Sequence, residues 1–319
     1  PVVLVETMPL SLYDPWVPPF TSGLIPKQTG ISRLGIRLAW EKIVIARKIR
    51  NLFFSMLLCR QDYFSLYKRL FLECGFPFEE KIDWRRPFII GIKESKILSM
   101  NPSSLDFPRK YPPNCQYAPS RVDLNREDPM LNRRYARVME EVCLQKQQRP
   151  DTKIIYCFSS TVMGFEKRSK IIFMKIRDIC LRNPQFVFIL SVGKYHNTSY
   201  LLPCPSNLYV FQQVPQLHLL SYCDLMITSG GMNSIAECIE KEVPMLVCPL
   251  SLKSDQLGNS ARVVYHGLGL RARIKLDSSR TIEKRIVQLF ENYATFKRNL
   301  SMMRTKILAE STAINTEVI

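Results

Sequence analysis

Histidine is scarce in this 319-residue chain, with only three: His196, His218 and His266. Their spacing matches no metal-ligand pattern, so no zinc is expected. There are ten cysteines but no C-x-x-C pair, which excludes zinc ribbons and thioredoxin-type redox motifs. Cys157, Cys180, Cys223, Cys238 and Cys248 lie in apolar contexts. They read as small buried hydrophobes in a reducing compartment. Long hydrophobic runs are missing too. The longest, Leu52 to Cys59, falls far short of the about 20 residues that span a bilayer. No signal peptide stands at the start, where Val2 to Glu6 already reads as a strand. No zinc-finger, RNP or helix-turn-helix signature occurs, so nucleic acid is not expected as the partner. Internal repeats and low-complexity tracts are also absent.

What is present is apolar content for a sizeable core, 46% of residues, and a formal charge of +17. That charge favours anionic partners such as a nucleotide diphosphate or lipid headgroups. Pro15, Pro18 and Pro19 forbid regular structure in residues 14–26. From Ser32 to about Cys74 the pattern is helical. Leu34, Leu38, Ile43, Ile45, Ile49, Phe53 and Met56 fall mostly on one side, with Arg33, Arg37, Lys42, Arg47, Lys48 and Arg50 between them. Such a pair of helices either turns its apolar face into a domain core or rests on anionic lipid. Short strands are expected at 87–92, 96–100 and 114–118, and a helix at 133–144. After residue 150 strands and helices alternate. Strands read at 153–158, 186–191, 207–211, 224–228 and 244–248. Helices read at 165–182, 215–221, 257–266, 281–291 and 294–309, with one more opening at Asn233. This alternation implies a parallel, doubly wound α/β sheet.

The stretch from Ile227 to Gln256 carries the chemistry. Ser229, Gly230 and Gly231 turn tightly after a strand, Asn233 and Ser234 open a helix, and Glu237 follows one turn in. A second strand ends in a loop carrying Asp255 and Gln256, with Asn259 beyond. Free N–H groups at a helix start favour an anion, and glycine lets the backbone approach it closely. Carboxylates repel phosphate but accept hydrogen bonds from sugar hydroxyls. A nucleotide sugar fits both features. An ordinary βαβ unit with a capping Asn-Ser is the plainer alternative.

The segment resembles the donor signature of the UDP-glycosyltransferases of glycosyltransferase family 1, the group of glucuronosyl, glucosyl and macrolide glycosyltransferases. The matching residues are Thr228-Ser229-Gly230-Gly231-Met232-Asn233-Ser234, Glu237, Val243-Pro244, Pro249 and Asp255-Gln256. Val214-Pro215-Gln216 upstream and Gly258-Asn259-Ser260-Ala261-Arg262 downstream also fit. The resemblance is dense over about residues 150–290 and looser over 1–120.

The resemblance implies the GT-B fold: two Rossmann-like doubly wound parallel-sheet domains facing a cleft, the first one incomplete at its N-terminus. Its boundaries would be 1–118 for the acceptor side, 119–150 for the linker and 151–292 for the donor domain, with 293–319 a helix packing back across the linker. It implies inverting, metal-independent transfer of a hexose from a UDP-sugar to the hydroxyl of a small-molecule or lipid acceptor, with no cofactor. No acidic D-x-D motif stands in the chain. Ser159, Ser160, Ser229, Gly230, Gly231, Asn233 and Ser234 would surround the diphosphate. Val214 and Gln216 would hold the uracil and Glu237 the ribose. Asp255 and Gln256 would bind the sugar, and Asn259 the phosphate or sugar. The general base, a His of the first βα loop, is expected upstream of residue 1. A cytoplasmic location follows, with peripheral contact at the inner face of an anionic membrane.

The chain departs from the pattern at Ser229, where the family usually has His, and at Glu242, where it usually has Gly. Serine is shorter than His and never cationic, so a weaker hold on the phosphate is expected. Two other readings remain open: a lipid-linked GlcNAc transferase of the MurG type, and a nucleotide-sugar binding remnant without activity.

Overall fold

The structure, a computed structural model, describes residues 3–86, 91–119, 122–126, 133–158, 165–193 and 197–313. Contacts divide the chain into two compact units, Pro1–Pro119 and Ser120–Ile319.

The first unit holds a three-stranded parallel sheet. β1 (Val3–Glu6) pairs with β4 (Lys96–Ser99), which pairs with β5 (Cys115–Tyr117). β2 (Ile82–Asp83) and β3 (Gly91–Ile92) form a small antiparallel pair. Three helices stand between β1 and β2: α1 (Gly30–Leu57), α2 (Tyr63–Glu73) and α3 (Phe78–Lys81). Thr29 and Asp62 cap α1 and α2 by accepting from backbone N–H groups of their first turns, which fixes both starts. The core gathers Val17, Phe20, Ile36, Trp40, Phe78 and Ile97. Trp40 Nε1 donates to the Val17 carbonyl at 2.9 Å, tying the Pro-rich segment to α1. The helical reading of 32–74 holds, with a break at residues 58–62. The core does not receive the stripe that the sequence offers: Leu34, Leu38, Ile45, Ile49, Phe53 and Met56 are all exposed. Ile36 and Trp40, on the other side of α1, take that place.

The second unit is a doubly wound α/β layer. Its helices and strands alternate as α4 (Arg133–Gln148), β6 (Lys153–Phe158), α5 (Glu166–Arg182), β7 (Phe186–Ser191), β8 (Leu208–Phe211), α6 (Gln216–Leu220), β9 (Leu225–Thr228), α7 (Met232–Glu240), β10 (Met245–Val247), α8 (Gln256–Tyr265), β11 (Gly269–Arg271), α9 (Ser279–Glu291) and α10 (Tyr293–Ala313). The sheet order is β11-β10-β9-β6-β7-β8, with every pairing parallel. β7 and β9 are buried at every residue. That explains their unbroken apolar sequences, since helices cover both faces of such a sheet. β11 has no signature in the sequence; three residues after a glycine turn give too short a pattern. α10 packs against α7 and α9. Arg304 there bonds Glu240, and Asn299 Nδ2 donates to the Gly267 carbonyl at 3.0 Å.

Candidate functional site

The chain runs outward from β6 through β7 to β8, then returns to place β9 on the other side of β6. The direction of winding reverses between β6 and β9. In an open α/β sheet, the crevice outside the carboxyl ends of the strands at such a point is where ligands bind. The expected residues after β6, Ser159 and Ser160, lie outside the described residues.

The turn after β9 is built by backbone needs. Gly230 has φ +88°, a left-handed conformation that side chains rarely adopt. A Cβ there would come within 2.7 Å of Val247 Cγ1 and 3.3 Å of the Gln256 carbonyl oxygen. Thr228 Oγ1 accepts from Gly230 N at 3.2 Å and tightens the turn. Ser229 is buried beside it. α7 begins at Met232 with Gly231 as its N-cap, and no side chain caps it. A Cβ at Gly231 would meet nothing within 4 Å, so the approach to this helix end is open. The Asn-Ser cap of the plainer alternative does not form. Asn233 is exposed and Ser234 is buried.

Behind this end lies a polar network reaching three other elements. Gln216, first residue of α6, donates through Nε2 to Glu237 Oε2 at 2.7 Å and to Ser234 Oγ at 3.3 Å. Its Oε1 accepts from Tyr156 Oη, on β6, at 3.1 Å. Tyr156 is fully buried, and burial holds its hydroxyl protonated by pushing its pKa well up. Val214, two residues before Gln216, is also buried. Glu237 is only 6% exposed. Its Oε1 receives Arg126 Nη1 at 3.1 Å. Nothing local in the sequence singles out Arg126. It stands in a polar stretch read as linker, 111 residues from its partner.

The loop after β10 closes the other flank. Gln256 Oε1 accepts from the backbone N–H groups of Leu250 and Ser251, both at 2.8 Å. Asn259 is wholly buried. Its Nδ2 donates to the Gly230 carbonyl and to Asp255 Oδ2, each at 2.8 Å. The start of α8 is thereby stapled to the glycine turn after β9. Burial raises the pKa of Asp255, opposed by the hydrogen bond from Asn259. Asp255 is therefore a poorly solvated carboxylate that gains by receiving donors. His218 stands apart from these groups, with Nδ1 against Tyr135 Oη at 2.9 Å. Among the described residues no cluster of His, Cys, Asp or Glu could hold a metal ion.

Ser229 to Ser234, Gln216, Glu237, Asp255, Gln256 and Asn259 thus converge on two adjacent strand ends. The chemistry on offer is an uncapped helix start for an anion, flanked by two carboxylates and several amides.

Comparison with known proteins gives the same direction. A sequence model of the family "UDP-glucoronosyl and UDP-glucosyl transferase" matches residues 197–309. The NDP-glycosyltransferase YjiC of Bacillus subtilis is 37% identical over 98 residues, 31% of this chain and 24% of that protein. The zeaxanthin glucosyltransferase of Pseudescherichia vulneris is 28% identical over 212 residues, 63% of this chain and 44% of that protein. The matched stretch spans about a quarter of the length of the first such relatives. Among solved structures, the glycotransferase of kitacinnamycin superposes with a TM-score of 0.58 at 20% identity. It covers 86% of this chain and 70% of that one. The chain therefore has the GT-B glycosyltransferase fold and, over residues 197–309, resembles the UDP-glucuronosyl and UDP-glucosyl transferase family.

Proposed function

We propose that the second unit binds a UDP-sugar and that the protein transfers the sugar, a hexose, to an acceptor hydroxyl with inversion and without a metal. The observation that carries the reading is the uncapped start of α7 lying between Glu237 and the Asp255 loop. The diphosphate would lie against the free N–H groups of α7 and the Ser229-Gly230-Gly231 turn, with Asn233 and Ser234 beside it. Glu237 would accept from the ribose hydroxyls and Asp255 from the hexose. Gln256 has its carbonyl oxygen bound to the loop, so its Nε2 would meet the sugar. Gln216 has its side chain engaged with Tyr156, Ser234 and Glu237, so it and Val214 would offer the uracil their main chain. Asn259 would serve by holding Gly230 and Asp255 in place.

In the reaction, the acceptor oxygen bonds to the anomeric carbon as the bond to the β-phosphate oxygen breaks. UDP departs with the electron pair, and the helix end and turn stabilise that growing charge. Attack from the face opposite the leaving group inverts the anomeric centre. The acceptor proton passes to a general base. His218, held against Tyr135, is not assigned that part.

Calorimetric titration with UDP tests the donor site. Saturable binding is expected, weakened about tenfold by Glu237→Gln, which keeps the shape but weakens the acceptor. Thermal melting of the variant checks that it folds. Absence of binding at millimolar UDP by a folded protein would overturn the reading. UDP binding with no transfer to any acceptor would instead favour a binding remnant.

A further inference from the structure

α1 is apolar on two sides. Ile36 and Trp40 are 1% exposed and face the core, whereas Leu34, Leu38, Ile45, Ile49 and Met56 are each more than half exposed. At about 100° per residue, those five fall within roughly 60° of one another, on the side opposite Ile36 and Trp40. α2 buries no residue at all, and Tyr63, Leu66 and Leu70 form a second exposed stripe along it. A helix that is apolar on opposite sides needs a second apolar environment, and a contiguous exposed apolar patch marks a contact surface.

Charge says which surface. Residues 30–73 carry nine lysines and arginines against three acidic residues. On the helical wheel Arg37 and Lys48 border one edge of the α1 stripe and Lys42 the other. This arrangement lets long basic side chains reach phosphates while their stems cover apolar surface. A second copy of the chain would bring one basic face against another, which repulsion disfavours. α1 is 28 residues long, about 40 Å, and is suited to lie along an extended plane. No helix among the described residues is long and apolar enough to cross a membrane.

We propose that the exposed faces of α1 and α2 dock this protein on an anionic bilayer, with the helices lying in the headgroup plane. The proposal is independent of donor binding by the second unit.

Flotation with lipid vesicles tests it. The protein is expected to float with phosphatidylcholine vesicles containing about one third phosphatidylserine, and far less with phosphatidylcholine alone. Ile45→Asp with Ile49→Asp, and separately Arg37→Glu with Lys48→Glu, should each lower the affinity at least about tenfold. All four side chains are exposed, so circular dichroism and thermal melting should match the parent and exclude misfolding. Failure to float with the phosphatidylserine vesicles would overturn the proposal. So would undiminished binding by the Asp variant, which would mean that charge alone attracts the lipid. A dimer in sedimentation that the Asp variant converts to a monomer would assign the face to a second copy instead.

Discussion

Gln216 Nε2 and Glu237 Oε2 lie 2.7 Å apart and join the start of α6 to the middle of α7. The same glutamine accepts from the buried Tyr156 hydroxyl. Three elements around the candidate site therefore share one side chain. Gln216→Leu keeps the volume but leaves a buried hydroxyl and a buried carboxylate short of partners. The variant should lose about 1–3 kcal/mol of stability, read by urea unfolding, and UDP affinity should fall with it. A variant as stable as the parent would show that water replaces these bonds and that Gln216 organises nothing.

Gly230→Ala tests the turn itself. The left-handed φ of +88° and the 2.7 Å approach to Val247 Cγ1 leave no place for a methyl group. Strain of about 1–3 kcal/mol is expected. The turn should relax by shifting, which would misplace the N–H groups offered to the diphosphate. UDP binding should drop more than stability does. Gly231→Ala is the control: nothing lies within 4 Å of its Cβ position, so its folding should be close to normal.

How much of this was visible beforehand depends on the range over which each feature acts. β6 and β7 read from sequence to the residue, because buried parallel strands are continuous apolar runs. The glycine turn, α7 and α8 read well because local turn chemistry and helical apolar spacing dictate them. Arg126 was invisible because its role depends on a partner 111 residues away. The duties of Gln216 and Gln256 were blurred for the same reason. A glutamine in a motif does not reveal that its amide is engaged with neighbouring backbone and side chains. The α1 stripe misleads in another way. Periodicity finds an apolar face but cannot say which of two apolar faces the core accepts, and here Ile36 and Trp40 prevail.

Asp255 gives a pH dependence. Burial raises its pKa above the ordinary 3.8. The folded state thus holds the proton more tightly than the unfolded chain, and the charged carboxylate costs stability above its folded pKa. Asp255→Asn should melt at a higher temperature than the parent at neutral pH. That advantage should shrink as the pH falls through the folded pKa. Binding should move the other way: protonation removes an acceptor for sugar hydroxyls. Affinity for a UDP-hexose should therefore decline as the pH falls through that raised pKa, while affinity for UDP alone changes less. Parallel calorimetric titrations of the two ligands decide this, and equal decline of both would remove Asp255 from the sugar.

Asn259→Asp probes the staple between the two loops. The wild-type amide donates from one nitrogen to the Gly230 carbonyl and to Asp255 Oδ2, both at 2.8 Å. An aspartate in its place would present an oxygen to each acceptor and bring a second negative charge beside Asp255, with no exposure to water to soften it. Leaving a buried charge unpaired costs about 3–5 kcal/mol, so the variant should be strongly destabilised in urea. Protonation relieves the repulsion, so lowering the pH should restore part of the loss. Asn259→Ser, smaller and neutral, should be damaged less and without that pH dependence. If both variants were as stable as the parent at neutral pH, the two 2.8 Å bonds could not be what holds Gly230 and Asp255 together, and the joint between the β9 turn and α8 would rest on packing alone.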